Sequence, residues 1–436
     1  MTKPVSGAGT GRESQARSFM VRRAASTIVH DFGPGLVTGA ADDDPSGIAT
    51  YSQAGAQFGT ALLWTLVLTY PLMSVVQQIS AQIGRVTGHG LATNMKRIFP
   101  AEIAMGLVGL LFIANTINIG ADLAAMGSSA ALVVGLPAHA LTIGFAAVSL
   151  LLQVLVPYHS YARFLKWLTL ALFSYIALLF TVRLDCGAIV SGLVLPHVSN
   201  RAAVVTIVAI FGTTISPYLF FWQSAQEVEE ITDHPGAKPL NQECEVTARE
   251  FARIRIDTWS GMALSNIVAI AIMIGTAATL HTAGRTSIET AADAAAALEP
   301  VAGRFSFLLF SLGVIGTGLL AVPVLAGSTA YAVAELRGWH SSLGSRFHDA
   351  EGFYAIIIIS TLFGVAIDWS PLCPIRALFW SAVINGLIAV PLLVAIMILA
   401  ASPRVMGGFP IRLAMRLTGW ATTIVMALAA GAMFVL

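Results

Sequence analysis

The stretch Gly39-Ala-Ala-Asp-Asp-Asp-Pro-Ser-Gly47 decides how the chain is read. It lies in the middle of a run, 32–61, that is otherwise apolar enough to cross a bilayer. Pro45 has no N–H to donate and Gly47 relaxes the backbone, so a helix entering the membrane here unwinds. Unwound backbone is tolerated at membrane depth only where protein or a water-filled cavity surrounds it. An ionisable side chain at that depth marks function. The expectation is that Asp44, which abuts the proline, binds a cation. Asp42 and Asp43 are either further ligands or charges that line an inner vestibule, because consecutive helical residues point in different directions.

Working outward, the 436 residues are 56% hydrophobic and 11% charged, with a mean hydropathy of +0.78. Soluble domains carry about 25% charged residues, so the chain reads as an all-α polytopic membrane protein with the lipid bilayer as its partner. A formal net charge of +1 argues neither for nor against a nucleic-acid partner; the membrane character argues against one, and no obligate protein partner is evident. Cys186, Cys244 and Cys373 are isolated and odd in number, which suggests neither a disulfide framework nor a thiolate cluster. No His-Glu-x-x-His and no Gly-x-Ser-x-Gly occurs, so the chain does not read as an enzyme, and no resident cofactor is expected.

Eleven spans are expected, near 33–56 (broken), 60–83, 102–134, 138–156, 164–183, 202–229 (broken), 254–280, 304–334, 353–370, 374–400 and 415–436. Residues 1–32 are polar and basic and read as a cytoplasmic tail. Of the 24 Lys and Arg, all but Arg183, Arg201, Arg285, Arg304 and Arg376 fall in the tail and in alternate joints. The positive-inside rule then places the N-terminus in the cytoplasm and, with an odd span count, the C-terminus outside the cell membrane.

The second interruption is Gly212-Thr-Thr-Ile-Ser-Pro-Tyr218. Broken helices five spans apart suggest two inverted five-helix repeats, 33–183 and 202–400, with the substrate held at the midplane between the breaks. The last span, 415–436, is then peripheral. A break leaves carbonyls unpaired at the end of the first half-helix, where the dipole also favours a cation. Asp44 adds two hard oxygens, and Thr213, Thr214 and Ser216 add neutral ones. No Cys, Met or His lies in either break, a donor set suited to Mg²⁺, Ca²⁺ or Mn²⁺ and not to thiophilic metals.

These residues also carry a family resemblance. Gly33-Pro-Gly35, Asp44-Pro-Ser-Gly47 and Gln53-Ala-Gly55 resemble the first helix of the NRAMP divalent-metal transporters, whose signature there is Asp-Pro-Gly-Asn. Gly212 to Tyr218 resembles that family's stretch ending in Met-Pro-His. Asn118-Ile-Gly-Ala-Asp-Leu-Ala-Ala-Met126 resembles its third helix, and Asp257, Asn266 and His281 its seventh. The resemblance implies a LeuT-type fold, with broken helices 1 and 6 and an eleventh helix. It further implies alternating access and a divalent cation bound at the paired breaks.

The departures from the family pattern change the expected ion. Asp44 matches the metal-binding aspartate, but Gly47 stands where the family has an asparagine ligand. Ser216 replaces the methionine that favours transition metals, Tyr218 the following histidine, and Thr213 falls where a carbonyl ligand is expected. Asp122 matches, but Ala125 replaces the acid three places on, and no arginine occurs within 353–370. Together these resemble the NRAMP-related magnesium transporters, which implies hydrated Mg²⁺, with Mn²⁺ also carried, and no proton coupling. The alternatives are a proton-coupled Mn²⁺/Fe²⁺ importer and a Na⁺-coupled organic-solute symporter, though Asp44 would repel a substrate carboxylate.

Other polar residues have two readings each. Asp122 makes a polar core contact or lines a cation pathway. Glu227 and Glu230 share a face at i and i+3, and edge an inner vestibule or begin a solvated acidic loop. Asp43 and Tyr218 complete the candidate pathway. Asn115 and Asn118 read as interhelical hydrogen-bond partners. Asp257 and Asn266 read as hydrogen-bonding near the sixth-helix break, and Trp380 or Asn385 as facing the site.

Overall fold

The computed structural model describes residues 38–39, 41–156, 168–233, 237–242, 246–345, 347–370 and 373–435. The expected cytoplasmic tail, the Gly33-Pro-Gly35 motif and the joint around Arg163 lie outside the described residues. Among the described residues every regular element is helical. The long helices are α1 (Pro45–Phe58), α2 (Leu63–Thr87), α3 (Ala101–Val134) and α4 (Ala138–Leu155), followed by the short α5 (Phe173–Leu178). They continue with α6 (Arg201–Thr214), α7 (Pro217–Asp233), α8 (Thr247–Thr276), α9 (Ser306–Arg337), α10 (Glu351–Ile367), α11 (Pro374–Ala401) and α12 (Leu413–Val435). Seven helical stretches among the described residues are long and apolar enough to cross a membrane, and α10 is a shorter apolar helix. The chain is a multi-pass membrane protein.

Both expected breaks are present as breaks and not as kinks. Residues 38–39 and 41–42 are helical, Asp43 is a bend, Asp44 is extended, and α1 starts afresh at Pro45. The proline sits at the first helical position, where its missing N–H costs nothing and its fixed φ suits the helix. In the second break α6 ends at Thr214 and α7 begins at Pro217, across Ile215 at φ −104, ψ 57.

Two groups of helices flank the breaks. In one, α3 packs against α4, α9 and α10. In the other, α2 packs against α7 and α8, and α8 against α1. Helix α11 bridges them through contacts with α6, α3 and α1. Small residues set the closest crossings, as expected where van der Waals packing drives association in lipid. A Cβ on Gly212 would lie 2.0 Å from the Ala382 carbonyl oxygen, and one on Gly386 would lie 2.7 Å from that of Val208. Gly39 lies equally tight on Gly261, where a Cβ would come within 2.4 Å of the carbonyl oxygen. The first half-helix is thereby pinned to α8, and α6 to α11. Lipid-facing surface is conspicuous on α4 and α12, where Leu155, Leu417 and Leu428 are exposed.

The α6–α11 crossing yields a test. Gly212→Leu forces the helices apart, and overpacking of this kind costs about 1–3 kcal/mol. The expected result is a lower melting temperature of the purified protein in a thermal-shift assay; an unchanged value would mean the crossing is not tight.

Candidate metal centre

Asp44 is the N-cap of α1 and is 1% exposed. Its Oδ1 accepts from the Ser46 hydroxyl at 2.6 Å and from the Gly47 amide at 2.7 Å. Ser, Asp and Asn are favoured caps for this reason: the side chain satisfies an amide that the helix cannot. Its Oδ2 faces other helices, accepting from Asn118 Nδ2 of α3 at 3.0 Å and approached by the Tyr218 hydroxyl of α7 at 3.4 Å. Every one of these partners is neutral. Asp122 lies close enough to feel the charge of Asp44 and is approached by the Ser46 amide.

The second break meets the first. Thr213 Oγ1 is 3.4 Å from Ser46 Oγ, and the Tyr218 hydroxyl donates to the Ala41 carbonyl at 3.1 Å. Ser216 Oγ lies 2.9 Å from the Gly212 carbonyl and 2.6 Å from that of Thr213, so its proton is spent on the end of α6. A hydroxyl that donates to a carbonyl keeps its lone pairs for a cation. The Thr214 hydroxyl likewise donates to a carbonyl, that of Ile210 one turn back in α6. Gly47 brings the breaks together: a Cβ would lie 3.3 Å from Thr213 Oγ1 and from the Tyr51 ring. In this conformation those groups occupy the room that the glycine leaves.

On α8, Ser265, the residue before Asn266, bonds at the first break. Its hydroxyl lies 2.6 Å from Asp42 Oδ2 and 3.0 Å from Asp43 Oδ1, so one donor serves two buried carboxylates. Glu227 is not the start of a solvated loop. It is fully buried and held by Arg253 of α8 at 2.6 Å, with Glu230 at 3.0 Å and Glu250 at 3.2 Å on the same guanidinium. Arg85 of α2 joins through Glu250 at 3.1 Å. Trp380 is 48% exposed and faces away from the core, whereas Asn385 is 1% exposed with both amide atoms unpartnered among the described residues.

Residues missed from sequence complete the centre. Ser381 donates to Asn118 Oδ1 at 2.7 Å, forming a chain from α11 through α3 to Asp44. The signal was available in spacing: Ser381 and Asn385 lie one turn apart, as do Asn118 and Asp122, each pair sharing a face in an apolar helix. Asn115, one turn before, bonds to α9 at Leu325, Ser328 and Thr329, as interhelical pairing predicts.

The site is closed to solvent, with Asp122, Thr213, Ser216 and Tyr218 all buried. On one side the Gln53 side chain clasps the 286–288 backbone, donating to the Thr286 carbonyl and accepting from the Ile288 amide. A cavity of about 750 Å³ lies beyond, lined by Phe58, Arg183 and His281, and draws no lining residue from either break. Among the described residues no three His, Cys, Asp or Glu converge as metal ligands. An ion between the breaks would meet one or two carboxylates together with hydroxyls, carbonyls and an amide.

A family model described as Natural resistance-associated macrophage protein-like (Nramp) matches residues 35–436. Among curated relatives, "Divalent metal cation transporter MntH" of Klebsiella pneumoniae (strain 342) is 26% identical, over 93% of this chain and 94% of its own. The protein of that name from Yersinia pestis (strain Pestoides F) is 28% identical, over 68% of this chain and 70% of its own. The Eremococcus coleocola manganese transporter, in complex with an aromatic bis-isothiourea substituted compound, superposes with a TM-score of 0.73 at 17% identity, covering 93% of this chain and 86% of that one. The nucleobase-cation-symport-1 family transporter Mhp1 gives 0.58 at 14% identity over 92% of both. These neighbours place the two interrupted helices in a LeuT-type fold. With its family match spanning both breaks and the whole described bundle, the chain belongs to the Nramp family.

Proposed function

We propose that the chain is a carrier of divalent metal cations that anchors its ion on Asp44 between the two breaks. The observation that carries this reading is the buried Asp44 carboxylate, which among the described residues is held by neutral donors alone and faces a second break rich in oxygen. A buried charge without a cationic partner is costly, and a bound cation removes that cost. Asp122 beside it is a second carboxyl that a bound divalent ion could draw on. The names of the relatives, divalent metal cation transporters and a manganese transporter, support the same class of cargo.

Mg²⁺ is the favoured cargo, with Mn²⁺ also carried and no proton coupling. Hard oxygen donors and the absence of thioether or imidazole from both breaks support this choice. The geometry around Oδ2 supports alternating access. An ion that takes this oxygen displaces Asn118 and Tyr218, which are tied to Ser381 of α11 and to Ala41 of the first half-helix. Occupancy is thereby transmitted to helices on both sides of the site. The inner route passes Asp43, Glu227 and Glu230, and the N-terminus is cytoplasmic and the C-terminus external.

A second reading, a proton-coupled Mn²⁺ importer, has one observation in its favour. The Met126 thioether and the Pro45 ring both border Gly318, which brings a soft donor near the first break. Uptake into proteoliposomes containing a pH-sensitive dye separates the two: acidification that tracks Mn²⁺ entry would overturn the uncoupled carrier.

Asp44→Asn keeps the cap, because asparagine serves as well at this position. The expected outcome is a folded, membrane-inserted protein whose divalent-cation uptake falls to background, and wild-type uptake would sink the assignment. Asn118→Ala should separate binding from movement. Calorimetric affinity should change by less than about tenfold, an equivalent of about 1.4 kcal/mol, while uptake slows by more than that; equal effects on both would refute the relay. Ser216→Met restores a soft ligand, and calorimetry should register tighter Mn²⁺ and Cd²⁺ binding relative to Mg²⁺. Unchanged selectivity would mean that Ser216 does not face the ion.

A further inference from the structure

Well away from both breaks, a cleft of about 590 Å³ opens on the outer wall of the bundle between α3, α9 and α10. Its walls are apolar, formed chiefly by Val108 and Phe112 of α3, Leu336 of α9 and Ile356 of α10. Gly109 lies in the floor, and a Cβ there would meet nothing within 4 Å, nor would one on Gly106 a turn earlier. Charge stands at one end only, as Lys96 and Arg337. Lys96 Nζ donates to the Leu336 carbonyl at 3.1 Å, which holds the ammonium at the rim and leaves two of its three N–H groups for another acceptor. Both cations are exposed, no Asp or Glu lines the cleft, and Glu335 beside them accepts from the Thr93 amide at 3.0 Å.

The dimensions are those of a lipid chain in one leaflet. From Ala101 to Ile113 the lining runs about 18 Å along α3, against about 15 Å for half of the hydrocarbon core. An aqueous anion would use the two cations and leave the groove empty. A zwitterionic lipid would bring a quaternary ammonium against the same two cations. A lipid with a net negative headgroup satisfies both ends.

We propose that this cleft binds one anionic phospholipid, its phosphate on Lys96 and Arg337 and one acyl chain laid over Gly109. The proposal stands apart from the identity of the transported ion. The orientation proposed above, on which this step rests, puts Lys96 and Arg337 at the leaflet that carries anionic lipid. Two such residues correspond to roughly thirtyfold preference over a neutral headgroup.

The test is native mass spectrometry of the purified full chain in detergent, titrated with phosphatidylglycerol, with phosphatidylcholine of the same chains, and with water-soluble glycerophosphoglycerol. The wild type should retain phosphatidylglycerol roughly thirtyfold more tightly than phosphatidylcholine, and should not retain the soluble headgroup. Lys96→Ala combined with Arg337→Ala should bring the two lipids level. Gly109→Leu keeps both charges and fills the open floor, and should weaken phosphatidylglycerol retention by about tenfold or more. All three positions are on the periphery, so an unchanged melting temperature certifies the fold of each variant. Equal retention of the two lipids by the wild type would overturn the proposal. So would full retention by the charge variant or by Gly109→Leu, and so would capture of the soluble headgroup, which would make this an anion site.

Discussion

The capping of α1 by Asp44 is the interaction on which the middle of the molecule depends. A helix that begins inside a bilayer exposes amides that water cannot reach, and each orphaned donor there is expensive. Asp44 Oδ1 answers the Gly47 amide and the Ser46 hydroxyl, which lets the chain resume a helix directly after the unwound bend. The other oxygen is then turned outward, to α3 and α7. One side chain thus ends the break, ties three spans together and presents a negative charge that meets only neutral donors among the described residues.

The close helix crossings supply the precision that this arrangement needs. Gly212 meets Gly386 just before the second break, which sets Ser381 and Asn385 of α11 level with it. Gly39 meets Gly261 just before the first, which brings Ser265, one turn on, beneath Asp42 and Asp43. Each glycine fixes how near a polar side chain on the neighbouring helix comes to the site.

Glu227, Glu230 and Glu250 converge on Arg253, and Arg85 adds a second guanidinium through Glu250. Burial of Glu227 requires this pairing, since removing one partner of a buried ion pair strands the other charge. An exposed acidic loop and a buried ion-paired cluster have the same local sequence. The i, i+3 spacing of Glu227 and Glu230 was legible, but their shared partner comes from another helix 26 residues beyond Glu227.

The sequence by itself determined the membrane class, the positions of most spans, both breaks, and Asp44 as their central charge. Those features are local: an apolar run, a proline and a carboxylate at membrane depth act through the backbone of their own segment, whatever surrounds them. The tertiary structure decided which neutral side chains face that charge. Asn118, Ser381 and Ser265 are small polar residues in apolar helices, identical in pattern to many that only bond their own backbone. It also decided that Thr214 turns inward to its own helix and that Trp380 faces outward while Asn385 faces in. The reason is physical: helical periodicity says which residues share a face, but only the crossing of one helix against another says what that face meets.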